Sequence, residues 1–189
     1  KHPDSIDLRF CENSAGGIAA IQARGFSVVA AETAVPQSDI VVLAVPDVII
    51  KKVSVGIVAL MKPGATLIIL DPAAAVAREL ALRDDCTFVV THPCHPSYFV
   101  NQESEEARAD AFGGIAATQD LVMAKIQGDD ANFANAKTVS ELMFAPVTNC
   151  FVMGIRDIAF LEPTLVEILG ASTLYAMAET VNEAERRGI

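Results

Sequence analysis

A chain of 189 residues with a net charge of −10 and 52% hydrophobic residues can bury a full core and suits one domain plus part of a second. No run of lysines and arginines breaks the acidic balance, which argues against nucleic acid and anionic membrane as partners, since both need concentrated positive charge. Polar or charged residues interrupt every apolar run well before the roughly 18 residues of a membrane span. A soluble, cytoplasmic protein is expected. The polar start at residues 1–5 lacks the apolar core of a signal peptide, although a chain that does not begin with Met leaves room for a lost leader.

Residues 6–12 form a strand-like run ending in the acid Glu12; Ser14 then supplies an N-cap for a helix through about Arg24, closed by Gly25. Residues 26–30 are a second short β-branched run, and residues 32–37 read as a helical turn broken at Pro36. Residues 39–45 are nearly all apolar, as a strand covered on both faces must be. A helix over 48–61 and a turn at Lys62, Pro63 and Gly64 lead to a strand over 65–70, a helix over 73–82 and a strand over 86–91. This alternation predicts right-handed βαβ crossovers and an α/β fold with a Rossmann-like, doubly wound parallel sheet.

After His95 the pattern changes. Residues 96–111 are polar and acidic, like a surface loop with a short helix. Strands are expected over 112–117, 121–127 and 146–153, with an amphipathic helix over 129–145. Residues 155–187 read as helical throughout, with Pro163 as the strong breaker and Gly188 as a stop. The four cysteines, Cys11, Cys86, Cys94 and Cys150, show no C-x-x-C pair and mostly sit in apolar runs; buried free thiols in a reducing cytoplasm are expected.

A dinucleotide domain of this type should open with a G-x-G-x-x-G turn. None occurs, and Gly16-Gly17 falls inside the first helix. Yet residues 6–12 read as a second strand, because Glu12 stands where an acid would bind the ribose hydroxyls. The first β-α unit is thus inferred to be missing from this numbering. Glu12 as a plain solvated strand-end acid is the competing reading. The expected division is an NAD-binding domain over 1–154, lacking its Gly-rich unit, and the start of a helical substrate and dimerisation domain over 155–189.

The run Val41-Val42-Leu43-Ala44-Val45-Pro46-Asp47 resembles the fourth strand of the 6-phosphogluconate and β-hydroxyacid dehydrogenase superfamily, where the following turn lies against the cofactor. Residues 121–130 through Ala145-Pro146-Val147 resemble that superfamily's strand, Gly-Asp turn, helix and final strand. Residues 178–189 are similar to the long first helix of its C-terminal domain. In finer detail, Leu70-Asp71-Pro72-Ala73-Ala74, Thr91-His92-Pro93-Cys94-His95-Pro96, residues 112–117 and Leu161-Glu162-Pro163 resemble the D-apionate oxidoisomerase group. The resemblance implies NAD-dependent oxidation of a branched sugar acid coupled to a carbon-skeleton rearrangement, with 3-oxo-isoapionate as product. It also implies cofactor contacts at Glu12, Ala44, Val45, Pro46, Asp47 and Asp71. The superfamily's catalytic Lys and Asn fall near Pro163 and Glu167, so acids stand here in place of the cation.

Oxidising a secondary alcohol needs a hydride acceptor, a base for the hydroxyl proton and stabilisation of the developing alkoxide. An acyl shift in the resulting ketol gains from polarisation of two adjacent oxygens, which a divalent cation does well. His92, His95, Glu162 and Glu167 are the residues expected to carry this, as a mixed nitrogen and oxygen metal site or as a metal-free relay. The competing readings are backbone capping for His92, simple exposure for His95 and a helix-start acid for Glu162. Glu167, five residues on, lies about 140° around an ideal helix, so the pair share a site only if Pro163 bends or restarts it. Cys94 is a weaker candidate thiolate. Gly113 and Gly114 offer close backbone approach to substrate, or merely a bulge. Helix capping is the competing reading for Asp47 and Asp71, and the favoured one for Asp71.

Two alternatives stand beside the oxidoisomerase: a plain NAD(P)-dependent 3-hydroxyacid dehydrogenase and a catalytically silent nucleotide sensor. Ala159, Leu161, Leu165, Ile168, Leu169, Leu174, Tyr175 and Met177 are too many apolar residues for one sheet edge, which predicts a homodimer through the C-terminal helix.

Overall fold

The structure, a computed structural model, describes residues 6–97 and 99–189. In chain order it contains α1 (Ala15–Ala23), α2 (Ala31–Ala34) with a 3-10 turn (Val35–Gln37), β1 (Ile40–Leu43), α3 (Asp47–Leu60) and β2 (Thr66–Ile69). Then come α4 (Ala73–Val76), β3 (Thr87–Pro93), α5 (Glu105–Ala109), β4 (Gln119–Gln127), α6 (Asp130–Met143) and β5 (Val147–Val152). The chain closes with α7 (Ile155–Glu162), a π-helical segment (Pro163–Gly170) and α8 (Ala171–Arg186).

The strands lie in the order β1-β2-β3-β4-β5, with β1, β2 and β3 parallel to one another and β5 parallel to β4. β4 runs antiparallel to β3, so the parallel, doubly wound sheet expected from sequence holds apart from this one pair. The chain leaves β3 at one end of the sheet and stays there through α5 and a loop, with no long crossover helix to carry it back. The strand expected over 112–117 is absent for the same segment: Gly113 (φ 79°) and Gly114 (φ 89°) turn the backbone left-handed, and its amides bond to Asp110 instead of a neighbouring strand.

Other boundaries also move. Residues 6–12 and 26–30 meet through a single parallel bridge, Phe10 to Val28, not two full strands. The helix expected over 73–82 stops at Val76, because Arg78 turns left-handed (φ 60°). Ser14 does cap α1, accepting the Gly17 amide at 3.1 Å. Cys11 and Cys94 are exposed and Cys150 half-buried, so only Cys86 is buried as expected; all four are free thiols. Asp129 follows Gly128, whose φ of 105° and close approach to Thr87 leave no room for a Cβ.

One face of the sheet packs Leu67, Ile69, Phe88 and Val90 under α3, α4 and α7. The other packs Ile68, Val89 and Met123 against Ala136 of α6. Alternation along β3 puts His92 on the same face as Val90, toward α4 and α7. α7 is tied to that face by Ile158, 1% exposed, a burial worth about 2 kcal/mol. Beyond it no residue of α8 is buried.

The continuous helix Ile155–Arg186 is long and apolar enough by length and composition to cross a membrane, which the interrupted apolar runs of the sequence had argued against. Glu162 and Glu167 in its first half would be costly in a bilayer, and Ile158 already packs into the sheet core.

Candidate active site at the carboxyl ends of the parallel strands

The exits of β1, β2 and β3 converge at one end of the sheet, where open α/β folds place ligands. After β1 the turn carries exposed Ala44 and Pro46, half-buried Val45 and exposed Asp47, the first residue of α3. Val48 beside it is 91% exposed, leaving an open apolar flank on this turn. After β2 comes Asp71, whose Oδ1 accepts the Ala73 amide at 2.7 Å, the capping role favoured from sequence. β3 delivers His92.

His92 Nδ1 lies 2.8 Å from the carbonyl oxygen of Leu70. A carbonyl only accepts, so Nδ1 carries the proton, and in the neutral ring Nε2 is the acceptor. His95 repeats the arrangement: its Nδ1 donates to the Phe112 carbonyl at 2.9 Å. The two imidazoles stand edge to face, ring centroids 6.2 Å apart. His95 has a φ of 58°, a strained conformation for a residue with a side chain, of the kind that collects at functional sites.

Glu162 reaches this face from the end of α7. Partial burial pushes its carboxyl above the ordinary value, His92 opposes that, and Asp71, Glu167 and Asp47 add to it by like-charge repulsion. Asp47 is likewise raised, first by desolvation and then by Asp71, with His92 opposing; its exposed flank leaves solvent screening in place. Asp47 and Glu162 thus both lie close enough to His92 and Asp71 to feel their charge, and Glu162 also feels Glu167. His95 stands one ring further out, beside Phe112.

Pro163 does not break the helix, as expected from sequence, but widens it. The segment Pro163–Gly170 runs as a π-helix, and the Thr164 hydroxyl donates to the Phe160 carbonyl at 2.6 Å. Bonding from i to i+5 brings residues five apart onto one flank, and Glu167 stands close enough to Glu162 to act on it by charge.

Among the described residues no three His, Cys, Asp or Glu side chains are gathered closely enough to hold a metal ion. The four residues considered as ligands therefore form no ready cage. Cys94 is not a prepared thiolate either: desolvation, Asp120 and Cys150 all raise its pKa.

Glu12 stands beyond the Phe10 bridge, its Oε1 accepting the Asn13 and Ser14 amides at 2.7 Å each, which lowers its pKa. A Cβ at Gly17 would lie 2.6 Å from Oε2, so that glycine makes room for the carboxylate at the start of α1. An acid held ionised and an open apolar turn after β1 suit the ribose and ring of a dinucleotide. Gly113 leaves space for the Gln119 side chain, 2.6 Å from where a Cβ would stand, while Gly114 faces open space. Sequence reading missed Asp110, a buried acid just before the Gly-Gly turn, and the backbone carbonyls of Leu70 and Phe112.

The chain matches two family profiles: the phosphogluconate dehydrogenase (decarboxylating) C-terminal family over residues 101–189 and the acetohydroxy acid isomeroreductase NADPH-binding domain over residues 7–140. It is 58% identical over 189 residues to the D-apionate oxidoisomerase of Blautia hydrogenotrophica, covering 100% of this chain and 66% of that protein. The D-apionate oxidoisomerase of Rhizobium rhizogenes is 38% identical over 185 residues, covering 97% of this chain and 67% of that one. Among solved structures, the semialdehyde dehydrogenase NAD-binding protein of Cupriavidus necator, in complex with calcium and NAD, superposes with a TM-score of 0.86 at 37% identity. That match covers 94% of this chain and 64% of the other. The chain spans about two thirds of the length of these relatives.

Proposed function

Because the chain belongs to the D-apionate oxidoisomerase family, we propose that it is the cofactor-binding part of an NAD-dependent enzyme that oxidises a CH–OH group of a branched sugar acid, D-apionate, and rearranges the product to 3-oxo-isoapionate. The observation that carries this reading is the pair of imidazoles whose Nδ1 protons are tied to carbonyls and whose Nε2 atoms are left to accept. NAD supplies the hydride acceptor. His92 Nε2 takes the hydroxyl proton as the C–H electrons leave, and the surrounding carboxylates stabilise the imidazolium. In the ketol that results, a carbon substituent migrates from the tertiary alcohol carbon to the new carbonyl carbon. The alcohol oxygen loses a proton and becomes the new carbonyl, while the old carbonyl oxygen gains one. His95 Nε2 accepts the first, and Glu162, whose carboxyl partial burial raises above its ordinary value, delivers the second. Gly113 and Gly114 give the substrate close access to backbone beside Phe112.

In this reading Glu12 binds the ribose hydroxyls and Ala44, Val45, Pro46, Asp47 and Asp71 border the nicotinamide. The NAD complex of the Cupriavidus relative favours NAD; the isomeroreductase profile is that of an NADPH-binding domain, and an acid at Glu12 disfavours a 2′-phosphate. Residues 155–189 form a helical segment that dimerises through Phe160, Leu165, Ile168 and Leu169, all exposed here. Four free cysteines, two of them exposed, fit a reducing cytoplasm.

Incubating the full chain with NAD and D-apionate, and following NADH by absorbance and products by NMR, tests the proposal. Rearranged product with NADH is expected. An unrearranged keto acid would reduce the protein to a plain dehydrogenase, and NADH binding without turnover to a nucleotide sensor. A second reading, with a divalent cation between the carboxylates and His92, is favoured by the calcium in the Cupriavidus relative. Loss of turnover in EDTA and its return with calcium would establish it; turnover indifferent to EDTA leaves the metal-free relay.

A further inference from the structure

We propose that Asp110 is a positioning residue for His95, acting through the loop it closes; this rests on the reading of His95 as an acid–base group. Asp110 is 8% exposed, and its Oδ2 accepts the backbone amides of Ile115, Ala116 and Ala117 at 2.9, 2.9 and 3.1 Å. Three amides on one carboxylate oxygen wrap residues 110–117 into a closed cradle, with Gly113 and Gly114 supplying its left-handed turns. On that cradle sits Phe112. Its carbonyl accepts the His95 Nδ1 proton at 2.9 Å, and its ring meets the imidazole edge to face with centroids 5.6 Å apart.

His95 follows β3 with a strained φ of 58°, a conformation that persists only where the surroundings enforce it. Phe112 makes both of the contacts named here, one polar and one aromatic. The chain of causes runs from the Asp110 charge to the three amides, to the placement of Phe112, to the ring and tautomer of His95. Asp110 itself touches no reacting atom. Without its charge the amides lose their strongest acceptor, Phe112 drifts, and the Nε2 lone pair is no longer held in place.

The test uses the full chain with NAD and D-apionate. Asp110→Asn should lower kcat/KM by about 10- to 100-fold with the KM for NAD unchanged. It should also move the His95 imidazole 15N shifts from a single Nδ1–H tautomer toward a mixture, readily assigned with three histidines in the chain. In a His95→Ala background the same substitution should lower kcat/KM by less than about twofold. A full further loss in that background, or His95 nitrogen shifts unchanged by Asp110→Asn, overturns the proposal. Should Asp110→Asn not fold, Gly114→Ala deforms the same loop, since a methyl has open space there but φ is 89°, and the same two readouts apply. If His95→Ala keeps full activity, the acid–base reading of His95 is what fails, and the nitrogen shifts still decide whether Asp110 positions the ring.

Discussion

Glu162 and Glu167 share one flank of the C-terminal helix because a π-helical segment begins between them at Pro163, and ionising Glu162 is disfavoured first by partial burial and then by the charges of Asp71, Glu167 and Asp47, with His92 opposing. In an unbroken α-helix the same spacing would turn them about 140° apart. Pro163→Ala restores an amide donor and lets the segment tighten to α. Helix stability should hold or rise, while kcat falls by about tenfold or more as Glu167 swings away. Circular dichroism and steady-state kinetics on the same samples check both halves.

Glu162 carries a pH signature. Its folded-state pKa lies above the ordinary 4.5, so the native state holds the proton more tightly than the unfolded chain does. The resulting stabilisation is fully present below about pH 4.5 and is lost as pH rises through the folded value. Glu162→Gln, uncharged throughout, should therefore melt about 2 °C higher than the parent at pH 7, with the gap closing under acid. A Tm difference independent of pH would contradict the assignment.

His92 is the base in the proposed oxidation. His92→Gln keeps a polar side chain near the Leu70 carbonyl but has no basic nitrogen, so kcat should fall by about 10²- to 10⁴-fold. NADH affinity, measured by fluorescence titration, should change little.

Glu12 should set cofactor choice. Glu12→Ser removes the charge that opposes a 2′-phosphate, and the NAD over NADP preference in kcat/KM should drop by about tenfold or more. A wild-type preference for NADP would show the ribose assignment to be wrong.

The exposed face of the C-terminal helix should be a subunit interface. Leu165→Glu with Ile168→Glu, at positions 51% and 65% exposed, should convert a dimer to a monomer by light scattering at micromolar concentration. A monomeric parent protein would remove the basis for the interface.

The helix caps at Ser14 and Gly25, the strands Ile40–Leu43, Thr66–Ile69 and Thr87–Pro93, and the Gly128-Asp129 turn were legible in sequence, because each is written in a few adjacent residues. The segment 112–117 was not. Its apolar and glycine residues look like a strand, and only the Asp110 carboxylate, claiming three of its amides, turns it into a loop. The antiparallel β4 escaped for a related reason: strand direction is set by where the preceding loop leaves the chain, which no periodicity records.

By itself the sequence determined the α/β alternation, the family and the residue types at the site, since burial patterns, caps and motifs are local properties of the chain. Only the tertiary structure decided which of those residues meet. It put His92 on the face that α7 covers, spread the carboxylates around it without forming a metal cage among the described residues, and used a proline-initiated π-turn to bring Glu167 alongside Glu162. Those outcomes depend on strand parity, hydrogen-bond competition and helix pitch acting across elements far apart in sequence.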